Sequence, residues 1–302
     1  MNTASQYTYS VYGLTIGSEL ELPELLIGSG IHDAEIVFGK VPDSIENPLK
    51  KGVCFQAAPN QFLLKIRNIA SFFVENGNLI TIEAGENTEE KSIRLFLLGS
   101  AFSALLMQRG LFPVHGSAID INGAGLVVSG LSGAGKSTLA MGFINKGFKI
   151  LNDDVCVISF AEEQPQIMPG FPHVKLWADS IRNFGKEPSQ YERIRENIEK
   201  HRLEITNSFL PKPVPFKILI VLGVKNSEGI EIEEIKGVEK FNLLRKNTHR
   251  FQYVDGLLKQ QDHFTAIGKM ANKLKIFTVQ RPRKGFSVDE IIETIIKNLK
   301  LK

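Results

Sequence analysis

Residues 130–137 read Gly-Leu-Ser-Gly-Ala-Gly-Lys-Ser and fit the pattern G-x-x-x-x-G-K-[ST] at every fixed position. No other stretch of the chain restricts its fold as tightly. The run Gly125-Leu-Val-Val-Ser129 ahead of it reads as a strand, and Thr138-Leu-Ala-Met-Gly-Phe-Ile-Asn145 behind it reads as a helix. Glycines at this junction let successive backbone N–H groups turn inward on phosphate oxygens, and the new helix adds its positive end. The candidate nucleotide-binding residues are therefore Gly130, Ser132, Gly133, Ala134, Gly135, Lys136, Ser137 and Thr138. Lys136 is expected to bridge the β- and γ-phosphates, and the Ser137 hydroxyl to join the coordination of Mg²⁺. ATP and Mg²⁺ are the ligands this predicts.

Composition narrows the class. With 43% hydrophobic and 23% charged residues the 302-residue chain is globular, and its length suggests two cores or one large core with an appendage. Its 36 basic against 33 acidic residues lack the concentrated basic stripe that would make nucleic acid a partner. Two cysteines, Cys54 and Cys156, exclude a disulfide framework and, with no Cys/His cluster, a structural zinc site. The N-terminus lacks the charged and apolar regions of a signal peptide. No apolar run approaches the roughly 18–20 residues a membrane helix needs. A soluble cytoplasmic protein with no membrane partner is expected, with self-association left open.

Along the chain, Ala34–Phe38, Phe62–Ile66, Ser71–Val74 and Leu79–Ile82 have strand length and composition, and Asn76-Gly77 is a hairpin signal. From Ser92 to Gly110 the apolar spacing changes to three and four, which predicts a buried helix. Beyond Leu111 strands and helices alternate, as in an α/β architecture. The expected division is a β-rich region, 1–90, followed by the P-loop domain, 91–302.

Two neighbours of the phosphate loop suggest chemistry. The strand Phe148–Leu151 is followed by Asn152-Asp153-Asp154, seventeen residues past Lys136. If that strand lies beside the first, one carboxylate can hold Mg²⁺ and the other can take a proton from an attacking hydroxyl. Alternation along a strand end gives the two acids different jobs, with Asp153 as the base and Asp154 as the metal ligand. His115 is the other neighbour. Val114–Ile121 and Gly125–Ser129 read as a hairpin with a four-residue turn; pairing Ile121 with Leu126 sets His115 against Ser132, within reach of Asp153.

Those residues carry a resemblance. His115-Gly, the hairpin, the glycine-rich loop and Lys-Gly-Phe-x-Ile-Leu-x-Asp-Asp-x-Val together resemble the HPr serine kinase/phosphorylase core over Leu111–Phe160. That resemblance implies an α/β P-loop kinase core of the HPr kinase/phosphoenolpyruvate carboxykinase type, behind a β-rich N-terminal region. It implies Asp153 as general base, His115 as its partner, Lys136 as a catalytic phosphate ligand, and Ser137 and Asp154 at the metal. It also implies Asp179 near a second acidic metal ligand, although the HPr-specific Glu-x-Arg-Gly-Leu-Gly is replaced here by Trp177–Gly185. Tyr12–Pro23, Leu95–His115, Lys175–Asp179 and Arg281-Pro look like HPr-kinase-related proteins that phosphorylate lasso-peptide precursors. The resemblance thus implies a serine kinase acting on a peptide or protein, a lasso-type precursor before HPr itself.

Other features have plainer readings. Trp177 is a core residue or an adenine or substrate contact; Ser189–Arg202 is a charged helical face; Lys246–Tyr253 is a nucleotide-contact candidate; Val288–Leu299 is an amphipathic helix. The rival functions are a small-molecule kinase like the adenylylsulfate kinases and a non-catalytic nucleotide sensor. An ABC-type ATPase would need Ser-Gly-Gly-Gln, and a GTPase Asn-Lys-x-Asp; neither occurs.

Overall fold

The computed structural model describes residues 6–195, 198–226, 228–283 and 287–300. It is a mixed α/β protein that divides into two compact units: Met1–Pro113 with His249–Thr265, and Val114–Thr248 with Ala266–Lys302. The division expected near residue 90 thus moves to 113, and the first unit gains a distant segment. The reason is packing: Tyr253 sets its ring 4.8 Å from Phe55 and 4.4 Å from Phe62. That also removes Tyr253 from the expected nucleotide contacts.

The first unit is built on a nine-stranded sheet. The four strands expected there form as Ala34–Phe38, Gln61–Ile66, Ala70–Glu75 and Leu79–Ala84. Asn76 and Gly77 have φ of 53° and 67°, so the turn between the last two uses the left-handed conformation that these residues tolerate. The helix expected over Ser92–Gly110 runs as Glu90–Phe96 and Phe102–Gln108, joined by a π-helical turn, Leu97–Ala101. Almost every side chain from Leu97 to Met107 is buried, Gly99 being the interruption, which suits its apolar period.

The second unit is organised by the strands Phe112–Ile121 and Ala124–Gly130. They close through two residues, Asn122 and Gly123, with φ of 54° and 86°. Asn-Gly favours this type I′ turn because its twist matches the strands. The four-residue turn expected from sequence is therefore wrong, and the register shifts: Ile121 faces Ala124 and Gly116 faces Ser129. Register does not carry His115 to Ser132. The Ala124–Gly130 strand pairs in parallel with Val214–Lys225, whose other side pairs in parallel with Lys275–Pro282. Helix Lys136–Asn145 ends at Gly147 in the left-handed conformation, φ 89°. Its Gly142 lets the C-terminal helix, Val288–Leu299, pack closely, for an added Cβ would stand 2.4 Å from Val288. Ile291, Ile292 and Ile295 of that helix enter the core.

Strand Lys149–Asn152 pairs with Phe112–Ile121, not with the P-loop strand. Two antiparallel steps across the sheet leave it pointing the same way as Ala124–Gly130, so its carboxyl end still opens beside the loop. Of residues 189–202, expected to be helical, the described ones supply the strand Arg193–Arg195 and most of Ile198–Glu204, in a three-stranded sheet with His173–Trp177; Glu196 and Asn197 lie outside the described residues. Cross-strand partners decide this: Lys200 faces Trp177 and Leu203 faces Val174.

Candidate active site

The phosphate loop leaves its strand at Gly130, where φ is 136° and an added Cβ would stand 2.2 Å from the Leu222 carbonyl oxygen. Gly133 and Gly135 follow at φ of 82° and 105°. Only glycine visits such values without strain. The loop and helix then line a cavity of about 940 Å³ with Ser132, Gly133, Gly135, Lys136, Ser137 and Thr138. Gly130 and Ala134, the other two candidates, are buried behind it. Lys136 Nζ donates to the carbonyls of Gly130 (3.0 Å) and Leu131 (3.1 Å). Burial holds its pKa below the usual lysine value, against the pull of Asp154 and Asp153.

Asp153 and Asp154 leave the Lys149–Asn152 strand in opposite company. Asp153 is buried; its Oδ1 accepts from Ser137 Oγ (2.9 Å) and Ser117 Oγ (2.6 Å), and its Oδ2 from the Lys175 backbone N–H (2.8 Å). Asp154 has φ of 79°, a left-handed geometry that aspartate accepts more readily than most residues. This turn aims its main-chain carbonyl at the hairpin, where it accepts from His115 Nδ1 (2.9 Å) and Gly116 N–H (3.2 Å). Its carboxylate takes Lys175 Nζ at 3.0 Å and lies 3.7 Å from His115 Nδ1. Lys175 holds the Asp154 carboxyl far below the usual carboxylate range, overcoming burial; Lys200 and His115 act in the same direction. His115 is displaced downward, first by burial and then by Lys136. Because a carbonyl can only accept, Nδ1 is the protonated nitrogen.

The expected pairing of His115 with Asp153 is thus corrected. His115 reaches Asp154, and Asp153 belongs to Ser137. The carbonyl of His115 is held by Ser129 Oγ at 2.5 Å, and its N–H donates to Asn247 O at 2.9 Å. Asn247 is therefore an anchor for the His115 strand, which is the part that the Lys246–Tyr253 segment plays here. Asp179 is not brought in. It sits at the start of helix Ala178–Asn183, its side chain 94% exposed and paired with Arg182 at 2.9 Å. From the same helix Ser180 meets Thr138, hydroxyl to hydroxyl, at 3.0 Å.

Four residues were missed by motif reading. Ser117 lies two positions past His115 on the same strand face, a period-two signal that was available. Lys175 and Lys200 arrive through the three-stranded sheet, and Arg281 places Nε 3.1 Å from the Ala134 carbonyl at the back of the loop. Lys175 and Arg281 fall in segments that carried the resemblance, but their place at the loop was not legible there, and no local pattern marks Lys200; long-range pairing delivers all three.

Ser137 Oγ and Asp153 Oδ1 are two hard oxygen donors, 2.9 Å apart. Mg²⁺ commonly takes one or two protein oxygens and completes its shell with phosphates and water, so this pair fits it. Among the described residues no three His, Cys, Asp or Glu side chains converge as a metal cage, and none are needed for that mode of binding.

Residues 111–176 match the family model of the HPr Serine kinase C-terminal domain. The HPr kinase/phosphorylase of Bacillus pumilus (strain SAFR-032) is 26% identical over 151 residues, 49% of this chain and 47% of that protein. That of Chloroherpeton thalassium is 35% identical over 71 residues, covering 24% of this chain and 21% of the other. The chain thus spans about half, or less, of the length of these curated relatives. The solved Hpr(Ser) kinase/phosphatase from Coxiella burnetii aligns over 63% of this chain and 96% of its own, at 12% identity and a TM-score of 0.34, too loose an overlap to bear on fold or function. Among the described residues no helix is long and apolar enough to cross a membrane.

Proposed function

We propose that this chain, whose P-loop core belongs to the HPr kinase-related family, is an ATP-dependent serine kinase acting on a peptide or protein. The observation that carries the reading is the separation of two adjacent acids around one phosphate loop. Asp153 sits on Ser137, and Asp154 sits with His115 and Lys175. That division suits phosphoryl transfer, in which one group holds the metal and another receives a proton.

Ser137 and Asp153 would hold Mg²⁺, which when bound offsets charge on the β- and γ-phosphates. Lys136 exchanges its two carbonyl partners for phosphate oxygens. Asp154 takes the proton from the attacking serine hydroxyl; the serine oxygen–phosphorus bond forms as the bond to the β-phosphate oxygen breaks, and ADP departs. His115 fixes the Asp154 main chain, and Lys175 keeps its carboxylate ionised and oriented. These roles exchange the two acids relative to the sequence expectation. The exchange follows from the hairpin register and from the positive φ of Asp154, neither of which spacing reveals.

The acceptor is a serine hydroxyl, and the resemblance at Tyr12–Pro23, Leu95–His115 and Lys175–Asp179 favours a ribosomal lasso-type precursor. HPr is the second reading, supported by the name the relatives carry. Against it stands the replacement of Glu-x-Arg-Gly-Leu-Gly by a segment that puts Trp177 into the cavity. Incubating the chain with labelled ATP, Mg²⁺ and either acceptor, followed by mass spectrometry, decides between them. A gain of about 80 Da, one phosphoryl group, is expected on a serine of the precursor. Label found only on a small metabolite would end the protein-kinase reading.

A further inference from the structure

The P-loop accounts for one wall of the cavity and leaves the wall made by the three-stranded sheet. Lys175 and Trp177 stand two residues apart on strand His173–Trp177 and so share a face. Trp177 lies directly across from Lys200. All three line the same cavity as Ser132–Thr138. Trp177 is 49% exposed, although Leu176 before it and Ile181 after it are buried at 1% and 0%. The chain has spent its one tryptophan on an open surface inside a cleft, flanked by two cations.

Its position along the loop is also informative. Lys175, two residues before the indole, reaches Asp154 at the end where the phosphoryl group would transfer. On the other side the chain enters the helix whose Ser180 touches Thr138. In a loop of this type the lysine meets the β- and γ-phosphates, so the α-phosphate and nucleoside emerge beyond Ser137 and Thr138. The cavity continues past them to Asn145, nine residues and about 13 Å along the helix from Lys136. A triphosphate alone does not fill a space of about 940 Å³, which lies in the range of a whole small-molecule ligand.

We infer that Trp177 is the platform on which the base of the bound nucleoside triphosphate stacks, an assignment that rests on the nucleotide-binding reading above. Every base has a flat face that an aromatic ring accepts. Lys175 and Lys200, which line the same cavity, supply positive charge toward the phosphates. Asn145 and Asn183, which line the same cavity, carry amide donors and acceptors suited to a base edge.

Because Trp177 is the only tryptophan in the chain, its fluorescence reports on this position alone. Full-length protein titrated with Mg·ATP should show quenching. Mg·tripolyphosphate, which has no base, should raise the melting temperature without comparable quenching. Trp177→Leu should weaken ATP roughly ten- to hundredfold, the loss of one base–aromatic stack, and leave tripolyphosphate within about threefold. Trp177→Phe should recover most of the ATP affinity. Three results overturn the inference: unchanged ATP affinity in Trp177→Leu, equal loss of ATP and tripolyphosphate, or a change confined to KM for the peptide acceptor. If wild-type protein ignores both ligands, the nucleotide reading fails and this inference with it.

Discussion

Ser137 Oγ donates to Asp153 Oδ1 at 2.9 Å, while the next residue, Asp154, bonds to neither the phosphate loop nor Asp153's partners except through Lys175. On the proposed reading, one peptide bond separates the acid on the metal side from the base. Asp153→Asn should therefore weaken Mg-dependent ATP binding by at least about tenfold and lower the rate with it. Asp154→Asn should leave ATP affinity within a few-fold and cut turnover by about two orders of magnitude or more. Asparagine tolerates the left-handed backbone at 154, so the variant keeps the fold. Calorimetric titration beside steady-state kinetics separates the two; the reverse pattern would restore the opposite assignment.

Lys136→Ala tests the loop itself. Mg·ATP should raise the melting temperature of the wild type by linkage, since it binds only the folded state. The variant should lose most of that shift while keeping a folded far-ultraviolet spectrum. A full shift in the variant would mean that nucleotide sits elsewhere.

Lys175 acts on Asp154 through its side chain and on Asp153 through its backbone, so Lys175→Met removes only the first. The Asp154 carboxyl should then rise toward its ordinary range, because the cation that lowers it is gone. A base must be ionised to work, so the acidic limb of the pH–rate profile should move to higher pH, while near neutral pH, where the carboxylate stays ionised, turnover should fall by about tenfold through loss of the cation that orients it. An acidic limb that stays in place would detach Asp154 from the rate.

His115 offers a stability test. Its folded pKa is lowered, by burial first, below the roughly 6.5 expected of the unfolded chain. Between those values the unfolded state binds the extra proton, so stability is present above about pH 6.5 and declines as the pH falls through that window. Wild-type protein should lose more melting temperature between pH 7.5 and 5.5 than His115→Gln, which has no such titration. Parallel curves would show that His115 does not titrate differently on folding.

Gly130→Ala should be costly for a geometric reason. The new Cβ meets the Leu222 carbonyl at 2.2 Å, at φ of 136°. Clash and backbone strain together should remove about 2 kcal/mol or more, measurable by chemical denaturation. Gly147→Ala, at φ 89° with nothing within 4 Å of its added Cβ, should cost only about 1 kcal/mol.

By itself the sequence determined the phosphate loop, its strand and helix, the His115 hairpin, the tandem acids and the amphipathic terminal helix Val288–Leu299. Each depends on near neighbours: glycines where φ turns positive, apolar residues at period two or near four, an Asn-Gly pair to close a turn. Even so, a two-residue error in reading that turn was enough to send His115 to the wrong partner. Tertiary structure alone decided the rest. Asp153 and Asp154 are neighbours of one type, and the different work proposed for them rests on Ser117 and Ser137 meeting one while His115 and the Lys175 ammonium meet the other. Asp179 has the right chemistry and stays outside, while Lys175, Trp177 and Lys200 enter through a sheet whose pairing spans residues 173–204. Local preferences act over a few residues, whereas an active site is assembled from groups that only long-range pairing and burial bring within hydrogen-bond reach.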